Sequence, residues 1–245
     1  MRIVAIIPTR YGSTRFPGKP LARIAGHPMV EHVYRRAAEC ADISDVLAAT
    51  DDERIFNAVQ GFGGRAVMTG ADHASGTDRI AEAAEALNLD DTDVVVNIQG
   101  DQPLLHHSVL SEMVEPLLRD EDLPMSTLMF RIRDPREVPN PNHVKVVTDF
   151  EGYALYFSRQ PIPHYRDAGP AGAYFKHLGL YAFRRSFLTT FTELPQGRLE
   201  VAEKLEQLRA LEHGYRIRVV ETEQDSPEVD TPEDIERVEA IMARA

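Results

Sequence analysis

Four strand–loop–helix units in the first half of the chain predict an α/β fold: a mostly parallel sheet with helices on both faces. Two further observations point the same way. The apolar runs are short and bounded by turn residues, as strands buried on both faces are. Polar clusters follow the first, second and fourth runs, and open parallel sheets bind ligands beyond such strand ends.

The elements are read in order. Ile3 to Ile7 is an apolar, β-branched run ending at Pro8, hence a buried strand. A Gly/Ser/Thr/Pro/Arg-rich stretch runs from Pro8 to Pro20, and Met29 to Ala38 has a helical pattern. Val46 to Ala49 is a second strand, followed by a helix from Glu53 to Val59. Arg65 to Met68 is a third strand, and Asp78 to Leu87 a helix. Val94 to Ile98 is the most apolar strand and ends in Gln99-Gly100-Asp101; Ser108 to Leu118 is again helical. The second half is less regular. Strands are expected at Met125 to Ile132, Val144 to Val147, Tyr153 to Phe157 and His177 to Phe183, with a loop from His164 to Ala173. Ser186 to Phe191 reads as a short helix. Leu199 to Glu212 reads as one strong helix, with Val201, Leu205, Leu208 and Leu211 on its apolar face and Gly214 stopping it. Arg216 to Val220 is a strand, and Thr231, Pro232 and Asp234 signal the start of a last helix. No linker separates two domains, so residues 1–245 are read as a single domain.

Composition narrows the function. The chain has 27 Lys and Arg against 39 Asp and Glu, a net charge of −12. That balance disfavours sequence-independent nucleic-acid binding, which needs cations to replace phosphate counterions. It leaves room for an anionic small ligand at a local basic cluster. The single cysteine, Cys40, excludes an internal disulfide and any cysteine-based metal site. No apolar run is long enough to cross a bilayer, and the first ten residues are too short for a signal-peptide core. A reducing cytoplasm is the expected location.

The cluster lies in Pro8-Thr-Arg10-Tyr-Gly-Ser13-Thr-Arg15-Phe-Pro-Gly18-Lys19-Pro-Leu21. Arg10, Arg15 and Lys19 are interleaved with glycines and hydroxyls at a strand end. A polyphosphate needs this mixture of close-approaching amides, hydroxyl donors and cations. The plainer reading is a basic surface loop. Neither the P-loop nor the dinucleotide glycine fingerprint is present, which disfavours a nicotinamide oxidoreductase.

This loop resembles the signature loop of sugar-acid cytidylyltransferases. The chain is most similar to the 3-deoxy-manno-octulosonate (Kdo) branch, the CMP-Kdo synthetases. Eight more segments carry the resemblance: Ala49–Asp52, Ala74–Arg79, Asn97–Asp101, His143–Val147, Tyr156–Arg159 with Pro161–Pro163, His177–Tyr181, Lys204–Arg209 and Val229–Asp234. The resemblance implies a nucleotidyltransferase-like, Rossmann-like fold with a smaller mixed region for dimerisation and sugar binding. It implies transfer of the cytidylyl group from CTP to the sugar acid, with pyrophosphate released, for lipopolysaccharide assembly. The anomeric 2-hydroxyl is then the nucleophile, attacking the α-phosphorus in line.

The resemblance also implies site roles. Arg10, Arg15, Lys19 and Asp101 carry catalysis. Pro8, Arg10, Ser13, Arg15, Lys19, Ser75, Gly76, Thr77, Arg79 and Gln99 hold the nucleotide. Gln99, Arg159, His177, Tyr181, Glu206 and Gln207 face the sugar. Asp101 and Asp230, 129 residues apart, hold Mg²⁺. Plainer readings stand beside these: Ser75 or Thr77 as a helix N-cap, Asp230 as a cap before the last helix, and Glu206 and Gln207 on a solvated face. A homodimer is implied, with residues 150–191 as its contact region and their aromatics suiting either an interface or a core. Two alternatives remain: a nucleotidyltransferase for another acid sugar or sugar phosphate, and a non-catalytic nucleotide-binding relative.

The chain departs from the common pattern in places. Gln102 stands where Glu is usual after Gln-Gly-Asp. Glu228-Val229-Asp230 stands where Gly-Val-Asp is usual, and Gly197-Arg198-Leu199-Glu200 is a further departure. These features resemble a branch that activates 8-amino-3,8-dideoxy-manno-octulosonate (8-amino-Kdo). The sequence alone gives no physical account linking them to an amine.

Overall fold

The computed structural model describes residues 1–12, 16–167 and 172–243. Ser13 and Arg15, two of the expected nucleotide contacts, lie outside the described residues.

The first half follows the expected alternation. β1 (Ile3–Thr9) leads through a 3₁₀ turn at Lys19–Leu21 and a small hairpin, β2 (Arg23–Ile24) and β3 (His27–Pro28), into α1 (Met29–Ala38). Then come β4 (Asp45–Thr50), α2 (Glu53–Gly61), β5 (Ala66–Met68) and α3 (Gly76–Glu85). β6 (Val94–Asn97) and α4 (Ser108–Arg119) complete the series. The second half holds β7 (Met125–Arg131), β8 (Lys145–Thr148), β9 (Ala154–Ser158) and β10 (Phe175–Arg184). α5 (Arg185–Glu193), α6 (Arg198–Glu203), α7 (Leu208–Glu212), β11 (Ile217–Thr222) and α8 (Glu233–Met242) follow.

The main sheet runs β11-β7-β10-β6-β1-β4-β5. β1 is parallel to β4 and β6, β4 to β5, and β7 to β11; β10 runs against both neighbours. The sheet is thus mostly parallel, as its both-face burial requires: Val4, Ala5, Ile6 and Ile7 of β1 are wholly buried. One core lies under α1 and α4, the other under α3 and α5. From β1 the chain steps to β4 and β5 on one side, then returns to β6 on the other. Such a reversal opens a crevice beyond the strand ends. The β8–β9 hairpin attaches to β10 through β8, so the region 150–191 extends the same sheet. Its aromatics divide: Phe157, Tyr181 and Phe183 are core, whereas Phe150 and Tyr165 are exposed, as is Leu155.

One expected element is corrected. The helix over 199–212 is two helices, α6 and α7, broken where Lys204 turns left-handed at φ 55°. Val201 therefore lies on the surface, while Leu205 and Leu208 are buried. The break is held from outside. Arg159 donates from Nε to the Glu203 carbonyl (2.7 Å) and from Nη2 to the Lys204 carbonyl (3.2 Å). These carbonyls face Arg159 instead of continuing a helix. Glu203 answers by accepting from Ser158 Oγ (2.7 Å) and Arg159 N (3.0 Å). The two helices are then tied by a buried bidentate pair, Arg209 to Glu200 at 2.9 and 2.6 Å. Apolar periodicity registered none of these bonds.

Candidate active site

The basic loop closes on itself before it meets any ligand. Gly18 N donates to the Tyr11 carbonyl at 2.9 Å, and Gly18 sits at φ 72° with a phantom Cβ only 3.1 Å from the Tyr11 ring. A side chain there would be strained on both counts. The turn delivers Lys19 to the crevice beyond β1 and β6. Its Nζ donates to Asp101 Oδ2 at 2.7 Å and to the Val229 carbonyl at 2.9 Å, and stands 3.9 Å from Asp230 Oδ1. Two aspartates remote in sequence thus share one ammonium. Val229 N also donates to the Asp101 carbonyl (2.9 Å), pinning the late segment to the end of β6.

This cluster separates two cavities. The first, of about 270 Å³, is lined by Pro8, Arg10, Lys19, Ser75, Arg79 and Asp101 among others. Arg10 is exposed to it. Gly76 and Gly100 let the two loops close over Pro8: an added Cβ would stand 3.4 Å from the Pro8 ring and 3.3 Å from its carbonyl, respectively. Ser75 is the N-cap of α3 in a reciprocal capping box with Asp78, so it is the cap and Thr77 is not. The start of α3 therefore opens this cavity with free backbone amides, a setting that favours an anion. Arg79 is buried; it pairs with Asp51 at 3.1 Å, and its donations to Thr69 Oγ1 (2.5 Å) and the Gly70 carbonyl (3.2 Å) fix the loop before α3. Asp51 carried no stated role in the sequence beyond its place in the Ala49–Asp52 segment.

The second cavity, of about 450 Å³, is bordered by His177, Glu228 and Asp230. His177 and Tyr181 flank a bulge in β10 where Gly179 takes φ 69°. Two neighbouring amides hold this bulge. Gln99 Nε2 donates to the Gly179 carbonyl (3.3 Å), and Gln102 Nε2 to the Leu178 carbonyl (2.7 Å). Thr127 Oγ1 donates to the Leu180 carbonyl at 2.6 Å, so it accepts from His177 Nε2 at 2.8 Å. His177 therefore carries its proton on Nε2 and offers Nδ1 as an acceptor. Desolvation between Phe157 and Tyr181 pushes its pKa down to about 3, which keeps the ring neutral. Burial, reinforced by Glu206 and Glu228, drives the Tyr181 phenol far above its usual range.

Glu206 and Gln207 occupy the gap between α6 and α7, not a solvated helix face. Thr77 Oγ1 donates to Glu206 Oε2 at 2.6 Å, joining the start of α3 to the broken helix. Burial raises the Glu206 carboxyl against that bond. Glu206 Oε1 and Gln207 Nε2 are both buried without a hydrogen-bond partner. Arg209 Nη2 stands 3.6 Å from Glu206 Oε1, at ion-pair distance, whereas buried polar groups are nearly always hydrogen-bonded, so the two side chains keep capacity for a ligand's hydroxyls. Arg159 is different. Its guanidinium is spent on three backbone carbonyls, those of Pro141, Glu203 and Lys204, and in this arrangement it shapes the gap without facing a cavity. Lys145, fully buried, likewise caps the Asn140 and Arg159 carbonyls.

The oxygen donors suit a hard divalent cation. Among the described residues no three His, Cys, Asp or Glu side chains could hold a metal unaided. Asp101 and Asp230 supply two carboxylates, and Mg²⁺ ordinarily takes that many, with phosphate and water completing its shell. The surroundings also favour positive charge: Asp101 and Asp230 lie about Lys19, and burial and both aspartates raise the Glu228 carboxyl.

Comparison with known proteins places the whole chain in a family. Residues 4–219 match the family model described as cytidylyltransferase. A 3-deoxy-manno-octulosonate cytidylyltransferase of Desulfosudis oleivorans is 58% identical over 243 residues, 99% of this chain and 98% of that one. An 8-amino-3,8-dideoxy-manno-octulosonate cytidylyltransferase of Shewanella halifaxensis is 55% identical over 244 residues, covering 99% of each chain. The solved CMP:2-keto-3-deoxy-manno-octonic acid synthetase complexed with CTP superposes with a TM-score of 0.94 at 45% identity, covering 100% of this chain and 99% of that chain. The 4-diphosphocytidyl-2C-methyl-D-erythritol synthase of Anaerococcus prevotii shares the fold, with a TM-score of 0.62 at 14% identity over 99% of this chain and 96% of that one. No helix among the described residues is long and apolar enough to cross a membrane.

Proposed function

This chain belongs to the cytidylyltransferase family, and from that membership we propose how its site works. It transfers the cytidylyl group of CTP to an eight-carbon sugar acid, Kdo or 8-amino-Kdo, and releases pyrophosphate. The observation that carries the mechanism is the Lys19–Asp101–Asp230 cluster standing between two cavities.

CTP occupies the first cavity, its phosphates against Arg10, Lys19 and the start of α3. The sugar acid lies beyond the cluster, on the side of His177, Tyr181, Glu206 and Gln207. Asp101 and Asp230 would hold Mg²⁺, which when bound neutralises phosphate charge and lowers the pKa of a hydroxyl it touches. Lys19 and Arg10 offset charge on the departing pyrophosphate. Neutral His177 accepts a hydrogen bond from a sugar hydroxyl at Nδ1, and Glu206 and Gln207 fix further hydroxyls. Little covalent work falls to the protein; placing the 2-hydroxyl in line with the α-phosphorus and stabilising charge supply the rate. No nucleophilic triad is needed.

We place the enzyme in the cytoplasm, as a homodimer that contacts through residues 150–191. Exposed Phe150, Leu155 and Tyr165 in that region support the contact, and CTP as a substrate supports the compartment. The product is suited to lipopolysaccharide assembly.

The test is pyrophosphate release from CTP with Mg²⁺ and each of the two sugar acids. Release with either supports the reading. Absence of release with both, while CTP still binds, overturns it. Sedimentation at micromolar concentration tests the dimer.

A further inference from the structure

We infer that Gln102 and Glu228 form one charge-conserving exchange, and that Glu228 selects an acceptor carrying an ammonium group over one carrying a hydroxyl there. The inference rests on the cytidylyltransferase reading above and adds the choice of acceptor to it.

The two departures from the common pattern lie 126 residues apart, yet they touch: Gln102 Nε2 stands 3.4 Å from Glu228 Oε1. The exchange is reciprocal. Where Glu is usual the chain has lost a charge, and where Gly is usual it has gained one. The amide at 102 is fully committed. Gln102 is wholly buried, donates from Nε2 to the Leu178 carbonyl, and accepts at Oε1 from Ser226 Oγ at 3.0 Å. The bulge that presents His177 and Tyr181 is thus held here by an amide.

The carboxylate meanwhile belongs to the wall of the second cavity, which His177 and Asp230 also line. The other charges there are already matched. Lys176 pairs with Asp225 (2.9 Å) and Glu137 (3.2 Å), and Arg237 pairs with Asp234 (3.1 Å). Lys19 serves Asp101 and Asp230. Among the described residues Glu228 has no Lys or Arg within ion-pair distance of its carboxylate, and its side-chain contact is the neutral Gln102. The acceptor must enter next to Asp230. An ammonium on that acceptor supplies the missing cation through a charge-assisted hydrogen bond, roughly twice as strong as the bond a hydroxyl gives. Overall similarity cannot make this choice, because relatives named for each acceptor are almost equally similar to the chain. A few side chains at the cavity must.

The test is the ratio of kcat/KM for 8-amino-Kdo to that for Kdo, which does not depend on the fraction of enzyme folded. The wild-type enzyme is expected to favour the amino sugar. Glu228→Gln is expected to lower the ratio at least about tenfold. Glu228→Asp, which keeps the charge, preserves the direction of the preference. The double change Gln102→Glu with Glu228→Gly brings the ratio down to favour Kdo. A ratio that stays within about twofold of wild type in Glu228→Gln overturns the inference, as does a wild-type enzyme that prefers Kdo. An inactive Glu228→Gln enzyme supports the exchange if adding Gln102→Glu restores turnover of Kdo, and overturns it if not. Failure of the wild-type enzyme with both sugars, with CTP still bound, would instead overturn the parent reading.

Discussion

On the side proposed for the nucleotide, Pro8 sits at the end of parallel strand β1, Gln99 and Asp101 just past the end of β6, and Lys19 on the turn that follows β1. On the side proposed for the acceptor, His177 and Tyr181 flank a bulge inside antiparallel β10, while Glu206 and Gln207 fill the gap between α6 and α7. The first side is regular structure that ends in functional loops. The second is regular structure interrupted to make function. Interruptions need support from neighbours, and here it is visible: Gln99 and Gln102 under the bulge, Arg159 and Glu203 under the helix break, and the Glu200–Arg209 pair behind it. Damage to the acceptor side should therefore be felt as stability as well as turnover, and damage to the nucleotide side chiefly as turnover.

The largest effect expected is at the buried pair. Arg209→Met leaves Glu200 buried and unpaired, and urea unfolding should show a loss of about 3–5 kcal/mol. A loss below ~1 kcal/mol would mean that the broken helix needs no such tie. Asp101→Asn should reduce kcat by roughly 10²–10³-fold while leaving the unfolding midpoint nearly unmoved. An equal fall in stability would erase the contrast between the two sides.

His177 gives a pH signature. Its folded pKa of about 3 lies below its ordinary 6.5, so the unfolded chain binds the proton more readily. The corresponding stability is present above pH 6.5 and is lost as pH falls toward 3. Replacing it, in His177→Gln, should flatten that part of the stability profile by ~2–3 kcal/mol. An unchanged slope would show that the ring titrates freely.

Gln207→Leu should raise stability by about 1 kcal/mol, since it removes a buried orphan donor, and raise the KM for the sugar acid roughly tenfold with the KM for CTP unchanged. A fall in stability would mean that the amide is satisfied. The smallest effect is at the break itself. Lys204→Gly should be neutral or stabilising by up to ~1 kcal/mol, because Lys204 is left-handed; in a continuous helix the same change would cost about that much.

The same contrast explains what could be read from the chain. Apolar runs and their polar endings located β1, β4 and β6 and the loops after them, because alternation and strand-end chemistry are local. The meeting of Asp101 with Asp230 was readable by resemblance alone, since 129 residues of spacing carry no pairing information. Periodicity joined α6 and α7 into one helix because Leu205 and Leu208 keep the apolar spacing across the break. What breaks it is Arg159, supplied from another strand. The contact between Gln102 and Glu228 was invisible for the same reason, although each stood out as a departure.

The tie between Lys19 and Val229 also has a temporal meaning. Lys19 and Asp101 leave the ribosome early, on the segments that follow β1 and β6, two strands that pair with one another and make a local core. Asp230 arrives after nearly all of the sheet has been synthesised, and N-terminal parts generally fold first. A nascent chain therefore carries the phosphate-facing half of the site for most of its synthesis without its second carboxylate. Competence to handle CTP comes as a late, all-at-once event, and an interrupted translation product is left with a nucleotide cleft but no complete acid pair.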